Sequence, residues 1–171
     1  MNIWIMRHGE AGFNAPNDAA RSLTDYGIKT ATSQGQWLGQ RLLSQNIRLD
    51  KIIVSPYLRA QQTLEHLISG MQAVKFEQKF ANLTETWEEI TPDGNPHTVV
   101  NYLDFLRSEG AKNVLIVSHL PLVFDLAQLL TDYQANMAFT PATIVEIDWQ
   151  EMGEKNHKSE TPIMLLFCEC Q

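Results

Sequence analysis

Cysteine is nearly absent from this 171-residue chain, where only Cys168 and Cys170 occur. Two positions apart in an apolar run, they point the same way along a strand, so a structural bridge between them is not expected and a reducing compartment is. Basic residues are scarce as well: 13 Lys and Arg stand against 20 Asp and Glu, a net charge of −7. Nucleic acids and anionic membranes call for a basic surface, so neither is expected as a general partner, and any anion must be bound locally. Long hydrophobic runs are missing too. No stretch approaches a membrane span, and the apolar residues 2–6 have no basic region before them and are too few for a signal sequence, so the expected location is cytoplasmic. Metal-binding patterns are equally wanting, with no HExxH, His-x-His or Cys-x-x-Cys in the chain. His8, Glu10 and His119 are conceivable zinc ligands, yet Arg7 beside His8 opposes a cation, so neither metal nor cofactor is expected.

What is present is the composition of one compact domain over residues 1–171, with 44% hydrophobic and 19% charged residues. Residues 2–6, "KIIVSP" (51–56) and "NVLIVSH" (113–119) are short apolar runs of the kind found in buried strands, and each ends in polar residues. Helical spacing lies between them. Ile28, Ala31, Leu38 and Leu42 follow a Thr24 N-cap, Leu64, Leu67, Ile68 and Met71 mark a second helix, and Val99, Leu103 and Leu106 a third. Leu122, Val123, Leu126, Ala127 and Leu130 mark another, begun near Pro121. Alternating strands and helices predict an α/β fold, a three-layer sandwich whose mostly parallel central sheet carries helices on both faces. "ATIVEIDW" (142–149) and "IMLLFCE" (163–169) read as closing strands forming an antiparallel edge. In the polar region 72–96 a strand is expected near Val74–Phe76, followed by a loop at Pro92–Pro96.

In open parallel sheets, ligands bind beyond the carboxyl ends of the strands. Here those ends deliver Arg7-His8-Gly9, Ser55-Pro56 with Arg59 shortly after, and Ser118-His119. Arginine forks grip phosphate oxygens and a neutral imidazole is a competent nucleophile, so the set points to phosphoryl transfer. Arg59 falls in the first turn of a helix, where the dipole disfavours a cation; an anionic ligand resolves that conflict. His66, His97 and His157 read as solvated, and Trp4, Trp37, Trp87 and Trp149 as core or edge packing.

The stretches "RHGEA" (7–11), "SPYLRAQQT" (55–63) and "VSHLPL" (117–122) resemble the histidine phosphatase superfamily, the phosphoglycerate mutase-like proteins known by their Arg-His-Gly motif. With "RSLTDYG" (21–27), "EITPDG" (89–94) and the short length, the chain is most similar to the small bacterial phosphohistidine phosphatases within it. That resemblance implies a histidine phosphatase fold, no metal and a covalent intermediate on His8. By position, Arg7 and Arg59 hold the phosphoryl oxygens, His119 stabilises their charge from the opposite side, and Arg21 adds a further positive group. Larger relatives carry an acidic proton donor on an insertion that this chain mostly lacks, and Glu89 is its nearest match. A phosphorylated imidazole leaves more readily than an alkoxide, which fits a site with little acid apparatus. Ser22 where Pro is usual, Glu10 where Asp is common, and a longer, more polar C-terminal segment are departures from the pattern. The implied partner is a phosphorylated histidine-containing signalling protein, a phosphotransfer domain of a two-component relay, with phosphate as product. The rival readings are a small-metabolite phosphomonoesterase of the same superfamily and a non-catalytic phosphoprotein-binding module.

Overall fold

The N-terminal apolar run forms strand β1 (Asn2–Arg7), and its side chains divide between two cores. Ile3 and Ile5 join one cluster, Trp4 and Met6 the other, all fully buried. Period-two alternation with both sets covered is the mark of a central strand between two helical layers. The same division recurs in β2 (Lys51–Val54) and β4 (Asn113–Ser118): Ile53, Val114 and Ile116 face one way, Ile52, Leu115 and Val117 the other. This computed structural model describes residues 1–150 and the backbone of strand Met164–Cys168; the readings of the cysteine pair and of His157 lie outside the described residues and side chains.

Helix α1 (Asp25–Gln45) begins as expected, with the Thr24 hydroxyl accepting from the Gly27 N–H. Together with α2 (Leu58–Ala73) it covers the Trp4 face through Leu38, Leu42, Leu64, Leu67 and Met71. A single turn, α3 (Phe80–Leu83), leads into β3 (Thr84–Thr86). Helices α4 (Pro96–Ser108) and α5 (Leu122–Leu130) cover the opposite face. Two antiparallel strands, β5 (Ile144–Asp148) and β6 (Met164–Cys168), close the sheet. The strand order is β3-β2-β4-β1-β5-β6, with β3, β2, β4 and β1 parallel and β5 antiparallel to both β1 and β6. The three-layer α/β architecture read from the sequence is therefore the one observed.

One expected element is misplaced. No strand forms at Val74–Phe76: Val74 caps α2 by donating to the Met71 and Gln72 carbonyls, and Lys75 has φ +69°. Phe76 instead turns its ring into the helical core, 6.2 Å from that of Phe80. Its apolar character reflects packing after a helix end. The strand of this region is β3, whose residues Thr, Glu and Thr show no apolar pattern to read.

Candidate active site

Register aligns the strand ends. Arg7 lies opposite Ser118, and Val54 opposite Val117, so β1, β2 and β4 terminate at one level. The chain leaving β1 is pinned there: His8 N–H donates to the Ser118 carbonyl at 3.0 Å, and Gly9 N–H to Thr63 Oγ1 at 3.0 Å. Gly9 has no room for a side chain, because a Cβ would lie 2.9 Å from the Gly27 carbonyl at the start of α1. The glycine of the Arg-His-Gly motif thus lets the turn after β1 press against α1.

His8 is 8% exposed, Arg59 4% and His119 1%. The His8 Nδ1–H donates to the Gly9 carbonyl at 2.7 Å; because a carbonyl only accepts, this contact fixes the tautomer and leaves the lone pair on Nε2. Arg59 Nε–H donates to that Nε2 at 3.2 Å. The His119 ring lies with its centroid 5.1 Å from that of His8 and pairs Nε2 with Ser55 Oγ at 2.7 Å. Tyr57 packs its ring 5.1 Å from the His119 ring and 5.1 Å from the Arg59 guanidinium carbon, bracing both. Arg7 Nη1 donates to the Phe139 carbonyl at 2.8 Å. Two buried polar atoms here, Arg7 Nε and His119 Nδ1, have no hydrogen-bond partner among the described residues. Such atoms are costly to bury and suit a ligand with many acceptors.

Burial dominates the electrostatics. Together with Arg59, Arg7 and Arg21, and against the opposing pull of the Gly9 carbonyl, it lowers the His8 pKa to about 4. Burial also lowers His119 to about 3, aided by His8 and Arg59. Arg7 is shifted down by burial and by Arg59. Both imidazoles are therefore neutral near pH 7, beside guanidiniums that remain charged: a nucleophile and an anion clamp in one place.

The arrangement contains a residue that sequence reading passed over. Asp18, on a 3-10 turn (Asp18–Ala20), accepts from Arg59 Nη1 through its backbone carbonyl at 2.6 Å and from Nη2 through Oδ2 at 3.2 Å. Its other oxygen, Oδ1, accepts from Arg21 Nη1 at 3.1 Å. Although burial works to raise it, the bonds from Arg21 and Arg59 hold the Asp18 carboxyl below its usual pKa. The anion that the position of Arg59 called for is supplied by the chain itself. Its one signal was an acid three residues before Arg21 in the polar stretch "NAPNDAAR". Arg21 thus joins the cluster through Asp18 and is held by the Gly12 carbonyl at 2.8 Å and by the Phe13 ring at 4.1 Å.

Arg7, His8, Arg59, His119 and Arg21 come together as the motifs predicted. Glu89 does not join them: it is exposed on the 3-10 turn Glu88–Ile90, and its carboxylate makes no hydrogen bond to the cluster among the described residues. His97 is exposed, as expected, whereas His66 is half-buried on α2. Trp4 is core, and Trp37, Trp87 and Trp149 pack partly buried at its margins.

Residues 3–94 match the family model described as histidine phosphatase superfamily (branch 1). A Haemophilus influenzae protein named as a phosphohistidine phosphatase SixA homolog is 50% identical over 150 residues, covering 87% of this chain and 88% of its own. The solved structure of the protein histidine phosphatase SixA complexed with tungstate superposes with a TM-score of 0.73 at 34% identity, over 86% of this chain and 88% of that one. A phosphoglycerate mutase from Bacillus anthracis shares the fold, with a TM-score of 0.62 at 15% identity over 85% and 86% of the two chains.

Proposed function

Because the chain belongs to the histidine phosphatase superfamily, we propose that it is a phosphohistidine phosphatase working through a covalent intermediate on His8. One observation carries the mechanism: the Gly9 carbonyl holds the proton on His8 Nδ1, so the nucleophilic lone pair sits on Nε2, facing the Arg59 Nε–H. In the first step the Nε2 lone pair attacks phosphorus. The new N–P bond forms as the bond to the substrate's imidazole breaks, and that imidazole leaves with the electron pair and takes a proton from solvent. Arg59 and Arg7 meet the charge on the transferring oxygens, and His119 donates to them from the far side. Water then attacks phospho-His8, the P–Nε2 bond breaks, and inorganic phosphate and neutral His8 are regenerated. Glu89, exposed near the end of β3, is the candidate donor for leaving groups poorer than imidazole.

The substrate is a phosphohistidine-bearing protein, and the finer reading is a phosphotransfer domain of a two-component relay. The named function of the 50% identical relative supports the first, and the tungstate held by a related enzyme supports an oxyanion site of this construction. Among the described residues no helix is long and apolar enough to cross a membrane. The test is phosphate release from a panel of phosphohistidine proteins and common phosphometabolites, with alkaline trapping of the labelled enzyme. The expected result is release from a phosphohistidine protein and label on His8. Label on another residue, or full turnover by His8→Ala, overturns the covalent route; preference for a sugar phosphate with a strict need for Glu89 overturns the substrate.

A further inference from the structure

We propose that Asp18 is a displaceable internal anion: its carboxylate competes with phosphoryl oxygens for the arginine clamp and, after hydrolysis, returns to expel inorganic phosphate. The proposal rests on the reading of His8 as phosphoryl acceptor. Each of the three guanidinium nitrogens of Arg59 is engaged in this structure, Nε by His8 Nε2, Nη1 by the Asp18 backbone carbonyl and Nη2 by the Asp18 carboxylate. The Asp18 carboxylate also spans to Arg21, so one acidic group bridges two guanidiniums as a phosphoryl group would. When phosphorus reaches His8 Nε2, the Arg59 fork must turn to its oxygens, and Asp18 must give way. The displacement is local. Asp18 lies on a three-residue 3-10 turn held by the Asn17 side chain, and its own side chain is 55% exposed.

Such a group weakens every oxyanion that uses the clamp, the product included. If the arrangement with Asp18 on the clamp holds about 90% of the population, apparent phosphate affinity falls about tenfold. A phosphoprotein substrate has contacts outside the clamp to offset that loss, whereas inorganic phosphate has none. Asp18 thereby keeps the enzyme from being held by its own product.

The alternative is that Asp18 merely orients Arg59, and the two roles differ in sign. Calorimetric titration of Asp18→Asn and Asp18→Ala with inorganic phosphate and with vanadate should give dissociation constants about tenfold lower than wild type. The inhibition constant for phosphate during turnover should fall in parallel. Unchanged or weaker binding overturns the proposal, because a structural carboxylate strengthens the clamp that it holds. Asp18→Asn keeps the shape of the turn, so it carries the test if the alanine variant fails to fold. Failure of wild type to hydrolyse any phosphohistidine protein would sink the functional reading, while the phosphate titration would still decide the role of Asp18.

Discussion

A guanidinium at the start of a helix is electrostatically misplaced, and Arg59 is a useful residue because of it. The positive end of the α2 dipole acts against its charge, so an oxyanion that takes the place of Asp18 meets a buried fork held at the site. Lysine preserves the charge and loses the fork. Arg59→Lys should therefore weaken vanadate binding by roughly ten- to a hundredfold, the range of one or two charge-assisted bonds. Equal binding by the two proteins in a competition titration would show that charge alone holds the anion. Thr63 acts one step behind: its hydroxyl donates to the Arg59 carbonyl at 2.6 Å and accepts from Gly9 N–H, tying α2 to the turn after β1. Thr63 stands four positions after Arg59 in "SPYLRAQQT", so helical spacing already placed both on one face.

The placement of α2 depends on glycines. Gly35 of α1 and Gly70 of α2 face each other so closely that a Cβ on Gly35 would collide with the Leu67 carbonyl and one on Gly70 with that of Thr32. The pair lets the two helices approach backbone to backbone beneath the Trp4 core, and the position of α2 in turn sets the position of Arg59. A methyl group at either site must push the helices apart, since the obstacle is backbone that cannot rotate away. Gly70→Ala should cost about 1–3 kcal/mol in denaturant unfolding, despite the better helix propensity of alanine. A gain in stability would mean that the helices separate freely. If Arg59 is carried along with the helix, the same variant should also bind vanadate less tightly.

For the whole molecule, two buried neutral imidazoles make folding sensitive to acid. In the unfolded chain His8 and His119 take up protons near pH 6.5, whereas in the folded protein they do so only near 4 and 3. A base whose folded pKa is depressed contributes stability that is complete above about 6.5 and is lost as pH falls toward the folded value, because the unfolded state then binds more protons. For His8 the loss is of the order of 3 kcal/mol between about pH 6.5 and 4. The two rings repel each other when charged, so their losses do not simply add. Asp18, with its carboxyl held down, contributes a loss only at still lower pH. Urea unfolding at pH 7 and pH 4.5 should show a marked acid destabilisation in wild type that shrinks in His8→Asn. An identical pH response in both proteins would place the acid sensitivity elsewhere.

Local pattern was enough for much of this protein. Apolar runs and helical spacing specified β1, β2, β4 and four of the helices, because each buries a continuous face that leaves its period in the chain. The polar residues at the ends of those runs marked Arg7, His8, Arg59 and His119, because parallel strands must deliver their ends to one edge. β3 was not legible, since a three-residue polar strand at the sheet border has no buried face to record, and Phe76 drew attention to the wrong place. Nor was the role of Asp18. Its identity as a clamp ligand exists only where the turn after β1 meets the start of α2, joining residues 41 positions apart. Contacts of that kind depend on how elements dock, and no spacing along the chain encodes them.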